Sequence, residues 1–280
     1  MKYGKSLVCA VLLSVATAGC VFPACKGKDK SEGSNNGTQV EDVIEDVVEE
    51  EVIESPSNPQ PEPEPQPVEI KAQYVKITAD SVNIRSGAGT NYSVLGSAEK
   101  NTLYAIIGKE GSWYKTYYKN KIAYVSDKYC KATEMAKSQK SAVEEVIQFG
   151  YQCLGEKYVY GAVRYIDANG NKIKGFTTSK FDCSSLMQYI FKCGANINLR
   201  ENTRTQIYQG NAVKGSDLQR GDLLFFTNDA RKYNTGVERV GHVALYLGNN
   251  YILHTASDYA KIETVSDKRW SYFIQAKRML

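Results

Sequence analysis

No proline lies beyond Pro67 in this chain of 280 residues, no CxxC pair occurs anywhere, only two histidines are present, and residues 31–70 contain neither lysine nor arginine. Each scarcity narrows the reading. Without paired CxxC spacing a structural zinc site is not expected. The apolar run Leu7–Ala18 is too short to span a bilayer, which argues against a membrane-crossing segment there. The bulk composition, 42% hydrophobic, 24% charged and 11% aromatic, is that of ordinary globular proteins and allows one to three domains. Charge is distributed unevenly: residues 31–70 carry twelve acids, whereas residues 71–280 carry 30 basic and 18 acidic residues, a balance of +12. The net charge of +4 therefore conceals an acidic segment followed by a basic body.

Lys2 and Lys5, then the short apolar run, then small residues read as a signal peptide over residues 1–19. Ala16-Thr17-Ala18 suits ordinary cleavage, while Ala18-Gly19-Cys20 resembles the lipobox of bacterial lipoproteins, with Cys20 as the acylated residue and Thr17 departing from the usual apolar position. Either way the chain is expected to be exported, as a cell-surface lipoprotein held to the membrane by lipid or as a protein secreted to the wall. Residues 20–72 read as a tether. In VEDVIEDVVEEEVIE (40–54) apolar residues recur at helical spacing, but like charges and β-branched side chains make a lone helix there marginal, and a solvated acidic spacer is the simpler reading. SPSNPQPEPEPQPVEI favours extended polyproline II, a semi-rigid stalk. Of the remaining cysteines, a disulfide among Cys130, Cys153 and Cys193 is allowed, and three buried free thiols serve equally well.

Over residues 73–132 short β-rich runs (YVKITA, SVNIR, TLYAII, WYKTYY, KIAYVS) alternate with the turn clusters SGAGTN, GKEGS and YKNK, which predicts a small all-β barrel. SVNIRSGAGTNYSVLGS followed by GSWYKTYYKNKIAYVSDKYC resembles a bacterial SH3-type domain. The resemblance implies attachment to wall material, or packing beside a catalytic domain to shape its cleft.

In FDCSSLMQYIF, Leu186, Met187 and Ile190 fall three, four and seven residues after Cys183, and Cys193-Gly194 supplies a helix stop. Cys183 is thus expected at the N-terminus of a helix buried on one face, with Asp182 as its N-cap. A helix N-terminus favours an anion, so the Cys183 thiolate is expected to be stabilised, with backbone N–H groups aimed where an oxyanion would develop. Both histidines, His242 in RVGHVALYLGNN and His254 in YILHTAS, lie on predicted strands joined by the turn signal GNN. They are an even number of residues apart, so a tight hairpin brings them near one another on one face. An imidazole beside a helix-terminal sulfur, oriented by a second polar group, is the general arrangement of an activated thiol nucleophile.

These pieces, with GEKYVYG (155–161) and RGDLLFF (220–226), come in the order found in the NlpC/P60 cell-wall peptidases, which residues 140–280 resemble. The resemblance implies an α+β protein: the SH3-like barrel followed, over 138–280, by a papain-like NlpC/P60 catalytic domain with helices packed on an antiparallel sheet. It implies Cys183 as nucleophile, His242 as general base and then acid, and His254 as the residue holding the His242 ring. It further implies that Tyr158 borders the cleft and that Asp182 and Ser184 contact the substrate's peptide stem. Asp222 is expected to fix a turn. Between Tyr158 and Cys183 lie 24 residues, more than the family's usual spacing. RYIDANGNKIKGFTTSK supplies the excess, as a hairpin or loop near the cleft with a turn at Asn169-Gly170, and Ala162 replaces a usual glycine.

The activity so implied is hydrolysis of peptidoglycan stem peptides, between γ-D-glutamyl and the following diamino acid, through a thioester on Cys183. It needs no metal or other cofactor, and a basic body facing a polyanionic wall suits it. No nucleic-acid partner is expected. An N-acetylmuramoyl-L-alanine amidase of the CHAP type, an acyl transferase and a non-catalytic wall-binding lipoprotein are the rival readings.

Overall fold

The structure is a computed structural model and describes residues 70–280. The signal segment, Cys20, the amphipathic stretch 40–54 and the proline-rich stalk all fall outside the described residues.

The first part consists of β1 (Lys71–Ile77), β2 (Ser81–Arg85), β3 (Val94–Glu99), β4 (Leu103–Ala105), β5 (Gly108–Glu110), β6 (Trp113–Tyr118), β7 (Lys121–Ser126) and β8 (Cys130–Ala136). They form a five-stranded sheet ordered β3-β2-β7-β6-β5 and a three-stranded sheet ordered β4-β1-β8. Period-two alternation drives the pairing: β2 buries Val82 and Ile84 and exposes Ser81 and Asn83. Lys119 and Asn120, both at positive φ, make the tight turn between β6 and β7. Two expectations are corrected. GKEGS is not wholly a turn, because its first three residues are β5, paired with β6. And β1 pairs with β8 from Lys71 opposite Ala136 to Ile77 opposite Cys130, so the barrel reaches slightly beyond residues 73–132 at both ends.

The second part contains α1 (Ser141–Gln152), β9 (Lys157–Tyr158), β10 (Lys180–Phe181), α2 (Cys183–Ala195), α3 (Thr203–Gln206), β11 (Asn211–Val213), β12 (Leu223–Phe226), β13 (His242–Gly248), β14 (Tyr251–Ala256), β15 (Tyr259–Thr264), α4 (Asp267–Trp270) and β16 (Phe273–Arg278). One eight-stranded sheet runs β10-β9-β15-β14-β13-β12-β16-β11, and only the β10–β9 pair is parallel. The apolar runs LLFF and HVAL are continuous because the central strands are covered on both sides. Leu223, Phe225, Val243 and Leu245 join the core that α1 and α2 complete. Leu224, Phe226 and Ala244 face a smaller cluster roofed by Trp270 and Phe273. Asp222 accepts hydrogen bonds from Gln219 N and from both Nε and Nη2 of Arg278, fixing the turn into β12 as expected.

Helix α2 buries Leu186, Met187 and Ile190 as the periodicity predicts, but it does not end at Gly194. It continues through Ala195 and is closed by Asn196 in the left-handed region, φ 53°. Gly194 serves the crossing of α1 over α2 instead, since a Cβ there would sit 2.5 Å from the backbone N and Cα of Val146.

The two parts share one apolar core. The Tyr74 hydroxyl bonds that of Tyr151, and Arg220 donates to Tyr151 at 2.9 Å while gripping Glu144 through two nitrogens at 2.7 and 3.0 Å. Lys119 and Asn120, at the tip of the β6–β7 turn, donate backbone N–H groups to Leu154 O and Gln152 O. Gly155, φ +82°, lets the Tyr118 ring lie where a side chain would otherwise be. Cys130, Cys153, Cys183 and Cys193 are all free, and only Cys153 and Cys183 are buried. Among the described residues no helix is long and apolar enough to cross a membrane.

Gly194→Ala is expected to destabilise. Its gain in helix propensity, about 1 kcal/mol, is outweighed by overpacking against rigid backbone, roughly 1–3 kcal/mol. A thermal or urea unfolding midpoint at or above that of the parent would contradict the close approach of α1 and α2.

Candidate active site

The site is built at the point where α2 begins. Asp182 has extended backbone dihedrals and caps the helix reciprocally: its Oδ1 accepts from Ser185 N at 2.8 Å, and Ser185 Oγ accepts from Asp182 N at 2.8 Å. The same carboxylate also accepts from Ser184 Oγ at 3.0 Å, Gly161 N at 3.2 Å and Arg164 Nη1 at 2.7 Å. It is therefore filled by four donors and buried. Asp182 and Ser184 do not line the cavity that Cys183 opens onto. A stem peptide approaching Asp182 would meet Arg164 already in place.

Arg164 belongs to the extra segment between Tyr158 and Cys183, and that segment is pinned rather than loose. Gln188 of α2 accepts from the N–H groups of Tyr165 and Ile166. Ile166 bridges Lys172, and Gly170, φ +83°, makes the expected turn with Asp167 bonding back to Asn169 N and Asn171 N. Phe176 stacks on Tyr189 of α2 at 5.5 Å between ring centroids.

The hairpin forms as predicted. Strands β13 and β14 are joined through Asn249 and Asn250, both at positive φ, with Leu245 opposite Leu253. His242 and His254 are consequently diagonal neighbours on one face rather than directly opposed. Their rings lie edge to face, and His242 Nε2 is 3.0 Å from His254 Nδ1. On its far side His254 Nε2 is 2.9 Å from Glu263 Oε1, and that oxygen also accepts from Arg269 Nη2 at 3.1 Å. Cys183, His242 and Tyr158 line one cavity of about 490 Å³, with Thr227, Ser257 and Arg269 among its other walls. A larger cavity of about 730 Å³ lies on the barrel between β5, β6 and β8, and its lining contains no thiol or imidazole.

The electrostatics differ from the expectation of a stabilised thiolate. Burial pushes the Cys183 thiol up to about 12, and the neighbouring Asp182 carboxylate adds to the rise; the N–H groups of Val243 and Ser184, and Arg164, only partly oppose it. A helix N-terminus is worth at most about 2 kcal/mol, or roughly 1.5 pKa units. Desolvation of a largely buried anion exceeds that. Burial first, then His254 and Arg269, lower His242 well below the usual imidazole range. His254 is lowered too, chiefly by burial, with Glu263 opposing. The resting site is thus a neutral thiol beside two neutral rings. No hydrogen bond joins Cys183 to His242, although they share the cavity wall.

Glu263, Arg269 and Arg164 escaped the sequence reading. Nothing local marks them: Glu263 sits on β15 opposite Ile252, and only the pairing of β14 with β15 brings it to His254.

The neutral rings have a measurable consequence. Below about pH 6.5 the unfolded chain takes up protons that the folded chain refuses, so stability must decline as pH falls from 7 to 5, with His242 contributing at most about 1.4 kcal/mol per pH unit and His254 adding in the same direction. Glu263, held down to about 2 in the folded state, stabilises the fold above the ordinary carboxylate range and begins to matter only below about pH 4.5. Unfolding midpoints that stay level between pH 7 and 5 would refute the burial of the pair.

Comparison with known proteins identifies two domains in the chain. Residues 155–279 match the NlpC/P60 family and residues 80–131 the bacterial SH3 domain. A γ-D-glutamyl-L-lysine dipeptidyl-peptidase of Bacillus subtilis is 30% identical over 167 residues, 59% of this chain and 48% of that protein. A probable endopeptidase NlpC homolog of Haemophilus influenzae is 32% identical over 111 residues, 39% of this chain and 55% of that protein. The chain spans about half the length of these curated relatives. A solved NlpC/P60 family protein of Bacillus cereus is 22% identical, covering 75% of this chain and 64% of its own, with a TM-score of 0.40. From Gly155 to Met279 the chain is therefore an NlpC/P60 domain, and it carries a bacterial SH3 domain ahead of it over residues 80–131.

Proposed function

We propose that this protein is an exported peptidoglycan hydrolase that cuts stem peptides at the bond between γ-D-glutamyl and the following diamino acid, with Cys183 as nucleophile, His242 as base and then acid, and His254 orienting His242. The observation that carries the reading is the meeting of Cys183, His242 and Tyr158 at one cavity wall, with His254 directly behind His242. The similarity to the γ-D-glutamyl-L-lysine dipeptidyl-peptidase of B. subtilis supports the choice of bond. Export is supported by Lys2 and Lys5 followed by the apolar run Leu7–Ala18, and lipid attachment at Cys20 by Ala18-Gly19-Cys20.

Because the resting thiol is neutral, the sulfur is activated as it reacts. Its proton passes to the bare nitrogen of His242 while Sγ bonds to the carbonyl carbon and the carbonyl π electrons move onto oxygen. The oxyanion is met by the Cys183 backbone N–H at the start of α2 and by the Tyr158 hydroxyl, which burial, with Cys183 and Asp182, keeps protonated up to about 12. Collapse breaks the C–N bond, His242 returns the proton to the leaving amine, and a thioester remains. Water, deprotonated by His242, then releases the acid and restores the thiol. Asp182 and Ser184 fix the start of α2 for this chemistry, and a stem amine would reach Asp182 only by displacing Arg164.

Cys183→Ala is expected to abolish hydrolysis of purified muropeptides, and His242→Ala to lower it by about a thousandfold or more. Mass spectrometry of the digest should show the γ-D-glutamyl–diamino acid bond cut. Cleavage at the muramoyl–alanine bond would move the assignment to an amidase, and full activity in Cys183→Ala would end the thiol mechanism. Cys20→Ser is expected to move the exported protein from the detergent phase to the aqueous phase, and an unchanged partition would exclude lipid at Cys20.

A further inference from the structure

We propose that Glu263 is a positioning residue of this site: through His254 it decides which nitrogen of His242 is bare, and it supplies the negative charge against which His242 takes the proton of Cys183. The inference rests on the thiol mechanism above and extends it two residues outward.

The argument follows hydrogen-bond direction. An ionised carboxylate can only accept. Burial alone would raise Glu263, but the hydrogen bond from His254 and the charges of Arg269 and Lys261 outweigh it, so the group is an anion throughout the working range. At 2.9 Å from Glu263 Oε1, His254 Nε2 must therefore carry the hydrogen. A neutral His254 then has a bare Nδ1, which can only accept. Its partner at 3.0 Å, His242 Nε2, must donate. A neutral His242 that donates from Nε2 is bare at Nδ1, and Nδ1 is the nitrogen left to take a proton in the cavity it lines with Cys183. Water has little chance to stand in for any of these partners, because His254 is 1% exposed and His242 8%.

The charge follows the same path. When the Cys183 proton reaches Nδ1, His242 becomes imidazolium and keeps Nε2–H directed into His254, whose own Nε2–H still points at Glu263. The counter-charge for the buried imidazolium is thus Glu263 rather than His254, which stays neutral. The other charged and titratable groups around the relay are Arg269 on α4 and Lys261 on β15, both opposing protonation, with Asp182, Cys183 and Tyr158 on the sulfur side. Arg269 shares Oε1 with His254, which draws part of the Glu263 charge away from the ring.

Alkylation of Cys183 by iodoacetamide in the full chain, followed from pH 5 to 10 by peptide mass spectrometry, tests this without substrate. Glu263→Gln removes the charge and lets an amide N–H face His254. It is expected to slow alkylation at pH 7 by about tenfold or more, the scale seen when a partner that orients a histidine is lost. It should also move the rise in reactivity to higher pH, and Glu263→Asp should restore most of it. Arg269→Gln removes the opposing cation and should move the rise to lower pH, which keeps the test decisive if Glu263→Gln folds poorly. A Glu263→Gln profile that coincides with the parent, or that is reduced equally at every pH, overturns the inference, as does an Arg269→Gln profile with no shift. In stem-peptide hydrolysis Glu263→Gln should lower kcat and leave KM unchanged. Should the parent fail to hydrolyse stem peptides, the function falls while the alkylation profiles still decide the role of Glu263.

Discussion

The Asp182 carboxylate is the contact on which the geometry of the cleft depends. Four donors from three stretches of chain converge on it: Ser184 and Ser185 in the first turn of α2, Gly161 in the loop after β9, and Arg164 in the segment that follows. One buried anion thereby fixes where α2 starts, and so where Cys183 sits, and ties the longer connection between Tyr158 and Cys183 to that same point. The arrangement is self-consistent because a buried carboxylate without donors would be costly, whereas this one is saturated and paired. Its negative charge also discourages ionisation of the adjacent thiol.

From that follows the balance of the site. Enclosure raises the sulfur and lowers both rings, so thiolate and imidazolium are each disfavoured at rest, although as a pair they would stabilise one another. In the mechanism proposed above, the site forms its ion pair only when a substrate carbonyl is present. The anion that serves it lies on β15, beyond two rings, where it cannot raise the sulfur further by direct repulsion.

Much of this was legible in the sequence, and the parts that were not share a cause. Period-two alternation in SVNIR, the unbroken LLFF, the GNN turn and the i+3, i+4, i+7 spacing behind Cys183 are local signals, and the corresponding strands, hairpin and helix face are where those signals put them. The end of α2 was misplaced because a glycine that stops a helix and a glycine that lets another helix approach look alike until the partner, here Val146 of α1, is known. The charge state of Cys183 was misjudged because helix position is readable from sequence, whereas enclosure is a property of the assembled cleft. Glu263, Arg164 and Arg269 were missed because each reaches the site through pairing or packing that no short motif records.

The seam between the barrel and the C-terminal part is built from interior material: paired Tyr74 and Tyr151, a guanidinium locked onto Glu144, and an aromatic ring occupying the space a glycine vacates. Severing the chain at the short stretch 137–140 would bare hydroxyls, apolar rings and an ion pair that water and neighbours could not satisfy equally well. The barrel behaves as a wall of the second part rather than as a cartridge on a string. Exchanging it for another module would require keeping its β6–β7 tip and Tyr74.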